Sequence, residues 1–188
     1  MASKLILASA SPRRQQLLSQ FDIPFDVVVA DIDETPLPDE SPDQMTIRLA
    51  IGKAQAVSQK MGLGYRVLGG DTTVALRGVI MGKPADKAEA IQMLKQLSGQ
   101  VHDVHSAVAL VGPDGCFSRI STTQVHFHEL QDHQIARYCN GDDPYDKAGA
   151  YGIQGPAGQF VRRIDGSYSA VIGLPLWKTH QLLFTSAT

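Results

Sequence analysis

Apolar positions along the chain fall into short alternating runs and 3.6-period blocks, punctuated by Gly, Pro and acidic residues. Leu5-Ile6-Leu7 is a β-type run. It leads into a helix expected over 12–20, where Pro12 suits the first helical position, Ser11 the cap, and Leu17 and Leu18 the apolar face. A strand is expected over 25–30, then an acidic, Pro-punctuated loop over 31–40. Ser41-Pro42 opens a second helix, with Met45, Leu49 and Ala56 near helical spacing to about residue 59. Val67-Leu68 reads as a strand ending at Gly69-Gly70-Asp71, with Thr72 to Leu76 still extended and a turn at Arg77-Gly78 before residues 79–81 return. Asp86 and Glu89 form a capping-box pattern ahead of Ile91, Leu94 and Leu97, and Gly99 closes that helix.

The second half is richer in strands. Residues 101–130 read as β-hairpins turning at Pro113-Asp114-Gly115, with Val125 and Phe127 alternating with polar positions. A helix over 131–139 closes at Asn140-Gly141, residues 141–159 are Gly-rich and irregular, and 160–172 reads as a hairpin turning at Asp165-Gly166. Pro175 begins a last helix. No repeat or linker interrupts this order, so residues 1–188 read as a single α/β domain with a mixed sheet.

Composition narrows the function classes. Of 188 residues, 43% are hydrophobic and 19% charged, the balance of a globular chain. The net charge of −2 gives no basic field, which argues against stable nucleic-acid binding. The N-terminal apolar run is too short for a signal segment and no stretch is long enough to span a membrane, so a cytoplasmic location is expected. Cys116 and Cys139 lack metal-type spacing and read as small buried side chains. His102/His105 and His126/His128 lack further ligands for zinc. There is no GxxxxGK[ST] or GxSxG, and Gly62-Leu63-Gly64 is no dinucleotide fingerprint.

Candidate chemistry lies in six places. Ser9-Ala10-Ser11-Pro12-Arg13-Arg14 joins hydroxyls, a helix start and two guanidinium groups, an arrangement suited to phosphate; the alternative is a capped surface helix with solvated arginines. Neighbours on a helix diverge by about 100°, so Arg13 and Arg14 are expected to do different jobs. Asp31, Asp33 and Glu34 follow the second strand, and Asp71 lies at the expected strand end, where open α/β sheets place ligands. Glu34 and Asp71 can serve as the one or two carboxylates that magnesium needs when phosphates complete its shell. Lys53 sits mid-helix, a position that normally faces solvent, whereas Lys83 is pinned in Gly82-Lys83-Pro84. The loop Asp146-Lys147-Ala148-Gly149-Ala150-Tyr151-Gly152-Ile153-Gln154-Gly155 offers an aromatic ring and, at Gln154, an amide suited to a base edge.

The order of these pieces is more specific than any one of them. SASPRR, the acidic Asp33-Glu34, Lys53, GDTTV, GKP, DKAGAYGIQG and GSYSAVIGLP run from about residue 4 to 183. Together they resemble the Maf family of nucleoside triphosphate pyrophosphatases. The resemblance implies a fold like that of inosine triphosphate pyrophosphatases, with an elongated mixed sheet and two lobes around a cleft. It implies hydrolysis between the α- and β-phosphates, a divalent cation (Mg²⁺, Mn²⁺ or Co²⁺) and a homodimer. It places Asp71 at the catalytic proton acceptor and Ser9, Arg13, Glu34, Lys53 and Lys83 at other site positions. Arg13, Thr72 and Gln154 fall at positions tied to base preference, which leaves Arg14 a plainer role of charge. DKAGAYGIQG is similar to the loop of the branch acting on dTTP and UTP. Gly70 stands where relatives often have Ala, a departure not expected to alter the chemistry.

The expected activity is therefore release of pyrophosphate from dTTP and UTP, with modified pyrimidine triphosphates left open as substrates of the same pocket, and a house-cleaning or division-arrest role. Two alternatives stand beside it: a pyrophosphatase for modified purine triphosphates such as 7-methyl-GTP, and a non-enzymatic nucleotide-binding regulator of septum formation. The sequence leaves open whether Asp71 is a metal ligand or the general base.

Overall fold

A computed structural model describes residues 4–62 and 64–185. Its centre is a seven-stranded mixed sheet. On the path β2-β1-β3-β5-β6-β7, β1 is Lys4–Ala8, β2 Phe25–Val27, β3 Tyr65–Leu76, β5 Val101–Gly112, β6 Gly115–Phe127 and β7 Val161–Asp165. The seventh strand, β4 (Val79–Met81), pairs with β3 off this path. The helices are α1 (Pro12–Leu18), α2 (Pro42–Met61), α3 (Lys87–Leu97), α4 (Asp132–Tyr138), α5 (Tyr168–Ile172) and α6 (Leu176–Phe184).

Local signals account for most boundaries. Ser11 caps α1, its Oγ accepting from the Arg14 N–H. At α2 the Ser41 N–H donates to Gln44 Oε1 at 3.2 Å. Asp86 accepts from the Glu89 N–H at 2.9 Å, while Glu89 Oε2 accepts from Ala85 N–H at 2.7 Å, a capping box displaced by one residue. The Pro113-Asp114-Gly115 turn closes β5 onto β6, with Gly112 opposite Gly115.

Several expectations are corrected. β2 stops at Val27; the Val28 N–H still donates to the Leu7 carbonyl at 3.1 Å, and residues 28–30 form no strand. Residues 160–172 form no hairpin: β7 pairs back onto β6, and Ser167 caps α5 by accepting from the Ala170 N–H. Cys139 is buried as expected, but Cys116 is exposed on β6. Leu63, within Gly62-Leu63-Gly64, lies outside the described residues, as do residues 1–3 of the N-terminal run.

The largest correction concerns Asp71. It lies in the interior of a twelve-residue strand, not at a strand end. The strand end belongs to its neighbour. On one side β3 pairs with β5 from Val67 to Ala75. On the other, β1 pairs with Tyr65 to Gly69 and β4 with Val74 to Leu76. Residues 70–73 therefore have no strand neighbour on that side among the described residues. This notch opens at the carboxyl end of β1, where α/β sheets commonly receive ligands.

Side-chain alternation along β3 divides what lies on either side of the sheet. Val67 packs with Ile6, Ala50, Ala54 and Ala107, beneath α2. Leu68 packs with Leu7, Leu18, Val108 and Leu174 on the opposite face, beneath α1 and the C-terminal segment. Beyond the notch, Val74 joins Leu94, Leu97, Phe127, Tyr151 and Phe160 in a second lobe. Truncating one of its fully buried leucines to Ala is worth about 2–5 kcal/mol, so both walls of the notch are held by packed cores.

Candidate active site

The notch widens into a cleft of about 670 Å³, within the usual range for small-ligand sites. Ser9, Arg13 and Arg14 line it from the β1–α1 side. Glu34 and Lys53 line it from the acidic loop and α2, Asp71 and Thr72 from β3, and Lys83 and Gln154 from the second lobe. These nine candidates meet in this one space, whereas Asp31 and Asp33 of the same acidic loop do not line it.

Lys53 is the electrostatic hub. Its Nζ is 2.7 Å from Asp71 Oδ1 and 2.8 Å from Glu34 Oε1. Lys53 and Asp71 are both buried, whereas the Glu34 side chain is 57% exposed. The mid-helix lysine thus points inward, because α2 lies so close to β3 that Lys53 reaches the Asp71 carboxylate directly. Glu34 is steadied by its loop: Arg48 grips Glu40 through both carboxylate oxygens at 2.6 and 2.7 Å and donates to the Thr35 carbonyl at 3.1 Å.

The two arginines separate, as neighbours on a helix should. Arg14 is the enclosed one. Its Nε donates to the Gly173 carbonyl at 2.9 Å, one Nη to Ser9 Oγ at 3.3 Å and the other to Thr72 Oγ1 at 3.2 Å. Burial lowers its pKa, and the charges of Asp71 and Glu34 work against that shift. Arg13 lies nearer solvent, 3.4 Å from Asp146 Oδ2. The hydroxyls expected to face phosphate are partly committed to the fold: Ser11 Oγ caps α1, and Ser9 Oγ accepts from the Ser11 N–H at 3.2 Å.

Lys83 and Gln154 are held ready by backbone. The Gly82 carbonyl accepts from the Gly149 N–H at 3.0 Å, which fixes the GKP kink against the Gly-rich loop. Both side chains are exposed and make no hydrogen bond or ion pair among the described residues. Tyr151 packs rather than stacks on a ligand. Its ring lies edge-on to Phe127 at 4.9 Å, and its hydroxyl meets His102 Nε2 at 2.7 Å.

Four contributors were given no role by the sequence reading. Ser106 is fully buried on β5 and its hydroxyl meets Thr72 Oγ1 at 3.2 Å; a lone hydroxyl within an apolar strand run was the available signal. Gly173 supplies the carbonyl for Arg14, with φ of 134° following a short helix. Asp143 and Lys147 pair at 3.1 Å and brace the loop that carries Gln154.

Chemically, the cleft offers buried and exposed cations, two carboxylates bridged by an ammonium, and an uncommitted amide at the far wall. That is an environment for a polyanion with a polar ring attached.

The model of the Maf-like protein family matches residues 4–186. The chain is 49% identical over 181 residues to the dTTP/UTP pyrophosphatase of Escherichia coli strain K12, covering 96% of this chain and 92% of that one. It is also 49% identical over 185 residues to the dTTP/UTP pyrophosphatase of Shewanella frigidimarina, covering 95% of each. Among solved structures, a nucleoside-triphosphatase (dITP/XTP pyrophosphatase) of Mycobacterium abscessus is 21% identical, with a TM-score of 0.46 over 66% of this chain and 74% of that one. A single family model spanning nearly the whole chain, with relatives of this identity and coverage, shows that the chain belongs to the family of Maf-like proteins.

Proposed function

We propose that this chain is a nucleoside triphosphate pyrophosphatase that hydrolyses dTTP and UTP to the monophosphate and pyrophosphate. The observation that carries this reading is the convergence of Arg14, Lys53, Lys83, Glu34, Asp71 and Gln154 on one cleft.

In the proposed reaction a water oxygen bonds to the α-phosphorus, the bond from that phosphorus to the bridging oxygen breaks, and pyrophosphate leaves with the electron pair. Asp71 Oδ1 is occupied by Lys53, so Oδ2 is the oxygen that accepts the water proton. Lys53 bridges the buried Asp71 carboxylate and the exposed Glu34 carboxylate and keeps the two compatible. Lys83, with no protein partner among the described residues, offsets charge on the departing pyrophosphate. Arg14 is tied at three of its nitrogens and acts as a fixed positive wall. Thr72, held by Arg14 and Ser106, and Gln154 orient the sugar-base end. The amide of Gln154 matches a pyrimidine edge that presents both carbonyl and N–H.

The family resemblance implies a divalent cation. No group of three or more His, Cys, Asp or Glu able to hold a metal occurs among the described residues. Glu34 has one oxygen not engaged by Lys53, a hard ligand that suits a cation sharing its shell with phosphate; Asp71 Oδ2 would join it only by giving up the proton-acceptor role, so in this reaction Glu34 and the phosphates would hold the cation. Bound there with substrate, such an ion supplies charge neutralisation and a more acidic water.

The test is turnover of dTTP, UTP, 7-methyl-GTP and ITP by the purified chain with Mn²⁺, following monophosphate and pyrophosphate. The highest kcat/KM is expected for dTTP and UTP, and Asp71→Asn is expected to lose about 10²–10³ in kcat with the fold retained. Preference for either purine, binding without product, or near-normal turnover by Asp71→Asn overturns the reading.

A further inference from the structure

Arg13 and Asp146 meet at the cleft from distant parts of the chain. Arg13 is on α1, and Asp146 lies in the segment between α4 and β7. Arg13 Nη1 is 3.4 Å from Asp146 Oδ2, while the other oxygen of the same carboxylate is 2.5 Å from Lys147 Nζ. All three residues line the cleft.

The two cations on Asp146 are not equivalent. Lys147 is also held by the Asp143 carbonyl at 2.6 Å and by Asp143 Oδ1 at 3.1 Å, and its side chain is only 12% exposed. Arg13 has no second acceptor among the described residues and is 34% exposed, against a carboxylate that is itself 62% exposed. Partial burial works to raise the Asp146 carboxyl, yet Lys147 and Arg13 together hold it below its ordinary value, so it carries its charge at neutral pH. The Arg13 contact is therefore long, wet and shared. It suits exchange better than it suits structure.

A polyphosphate brings several anionic oxygens into this space. Each is a better match for a guanidinium fork than one oxygen of a carboxylate already committed to Lys147. We propose that Asp146 is a positioning residue for substrate capture: it holds Arg13 at the cleft and releases it to the phosphates of an incoming polyphosphate. This rests on the cleft receiving a triphosphate. Asp146 then competes with the ligand for Arg13, and its removal tightens polyphosphate binding.

An exposed pair of this kind holds its partner by a factor of about 1.5–5. Inorganic tripolyphosphate, which has no base and no sugar, isolates the effect. Calorimetric titration in metal-free buffer compares wild type, Asp146→Asn, Arg13→Ala and the double variant. Asp146→Asn is expected to bind about 1.5- to 5-fold tighter and Arg13→Ala more weakly. The double variant is expected to match Arg13→Ala. The gain in Asp146→Asn should vanish near 1 M salt, where the Debye length is about 3 Å. In steady-state assays Asp146→Asn lowers KM for dTTP by the same factor without raising kcat.

Weaker or unchanged binding by Asp146→Asn overturns the proposal. So does equal tightening in the double variant, which would make Asp146 a general repeller of phosphate, or no tripolyphosphate binding by wild type. Tripolyphosphate binding with the expected cycle but no dTTP turnover would instead remove the proposed function and leave the exchange standing.

Discussion

Gly69 and Gly70 are adjacent in β3, face opposite sides of the sheet, and should respond unequally to the same substitution. A Cβ on Gly69 would lie 2.2 Å from the Ala50 carbonyl oxygen and 2.8 Å from the Ala54 nitrogen. Both are backbone atoms of α2 and cannot rotate away. Optimal heavy-atom separations are about 3.5–4.0 Å, so α2 must retreat by roughly 1 Å. Overpacking of this kind costs about 1–3 kcal/mol, and the entropy that Ala removes from the unfolded chain offsets about 0.4–1 kcal/mol. The net for Gly69→Ala is a loss of about 1.3 kcal/mol, or roughly 3–5 °C in Tm for a chain of this size. A Cβ on Gly70 meets Arg14 Nε at 3.4 Å and the Ala107 carbonyl at 3.5 Å, close to ordinary contact. Gly70→Ala should stay within about 0.5 kcal/mol of wild type.

The two variants also differ in activity. Ala50 is three residues from Lys53, so a displaced α2 carries the ammonium away from Asp71. A misplacement of about 1 Å commonly costs about 10² in rate. Urea unfolding with dTTP turnover on the same samples measures both effects. A Gly69→Ala protein with wild-type midpoint and kcat, or a Gly70→Ala protein that loses more than about 1.5 kcal/mol, would refute the assignment of the two faces of β3.

Two further outcomes follow from buried polar groups. Burial lowers the His102 pKa from its ordinary 6.5 to about 4, with a smaller push from His126. A depressed folded-state pKa contributes stability that is full above 6.5 and is lost as pH falls toward 4, for a total of about 3 kcal/mol. Urea midpoints between pH 7 and 4 should show this slope in wild type and lose it in His102→Leu; equal slopes would remove His102 as the cause. Arg14→Lys keeps the charge but not the fork that joins Gly173, Ser9 and Thr72. It should lower kcat/KM by about 10–100-fold, and activity equal to wild type would show that the fork is dispensable.

The site was legible in sequence wherever a residue type announced its own chemistry. Lys83 between Gly and Pro, the amide of Gln154 and the carboxylate of Asp71 were found this way, and the structure places them in one cleft. What the sequence could not show was burial. Lys53 sits on a 20-residue helix whose spacing gives no sign that a lysine points inward; that depends on Gly69 admitting α2 to contact distance. Arg13 and Arg14 are chemically identical, and what marks Arg14 as the enclosed one is distant in sequence: Thr72 Oγ1 and the Gly173 carbonyl, the latter 159 residues away. The supposed hairpin over 160–172 failed because alternation cannot tell a strand paired backward from one paired forward. Here β6 had an open edge, and Ser167 was placed to cap a helix.

The notch in the sheet explains why these residues need one another. β3 is a single strand that serves two lobes, with β1 beside its first half and β4 beside its second. Had β1 run four residues further, residues 70–73 would be paired on that side and the Asp71 carboxylate would sit inside a continuous, closed layer. Pro12 helps prevent that. Its missing N–H and fixed φ suit the first turn of α1, so the chain leaves the sheet after Ala8 and turns Arg14 back over β3. The seven-residue helix therefore both ends β1 and delivers the cation for the space its departure opens. On this account the SPRR segment is first a device for interrupting the sheet. Extending β1, by replacing Ser11-Pro12 with β-formers, should abolish substrate binding even with both arginines intact.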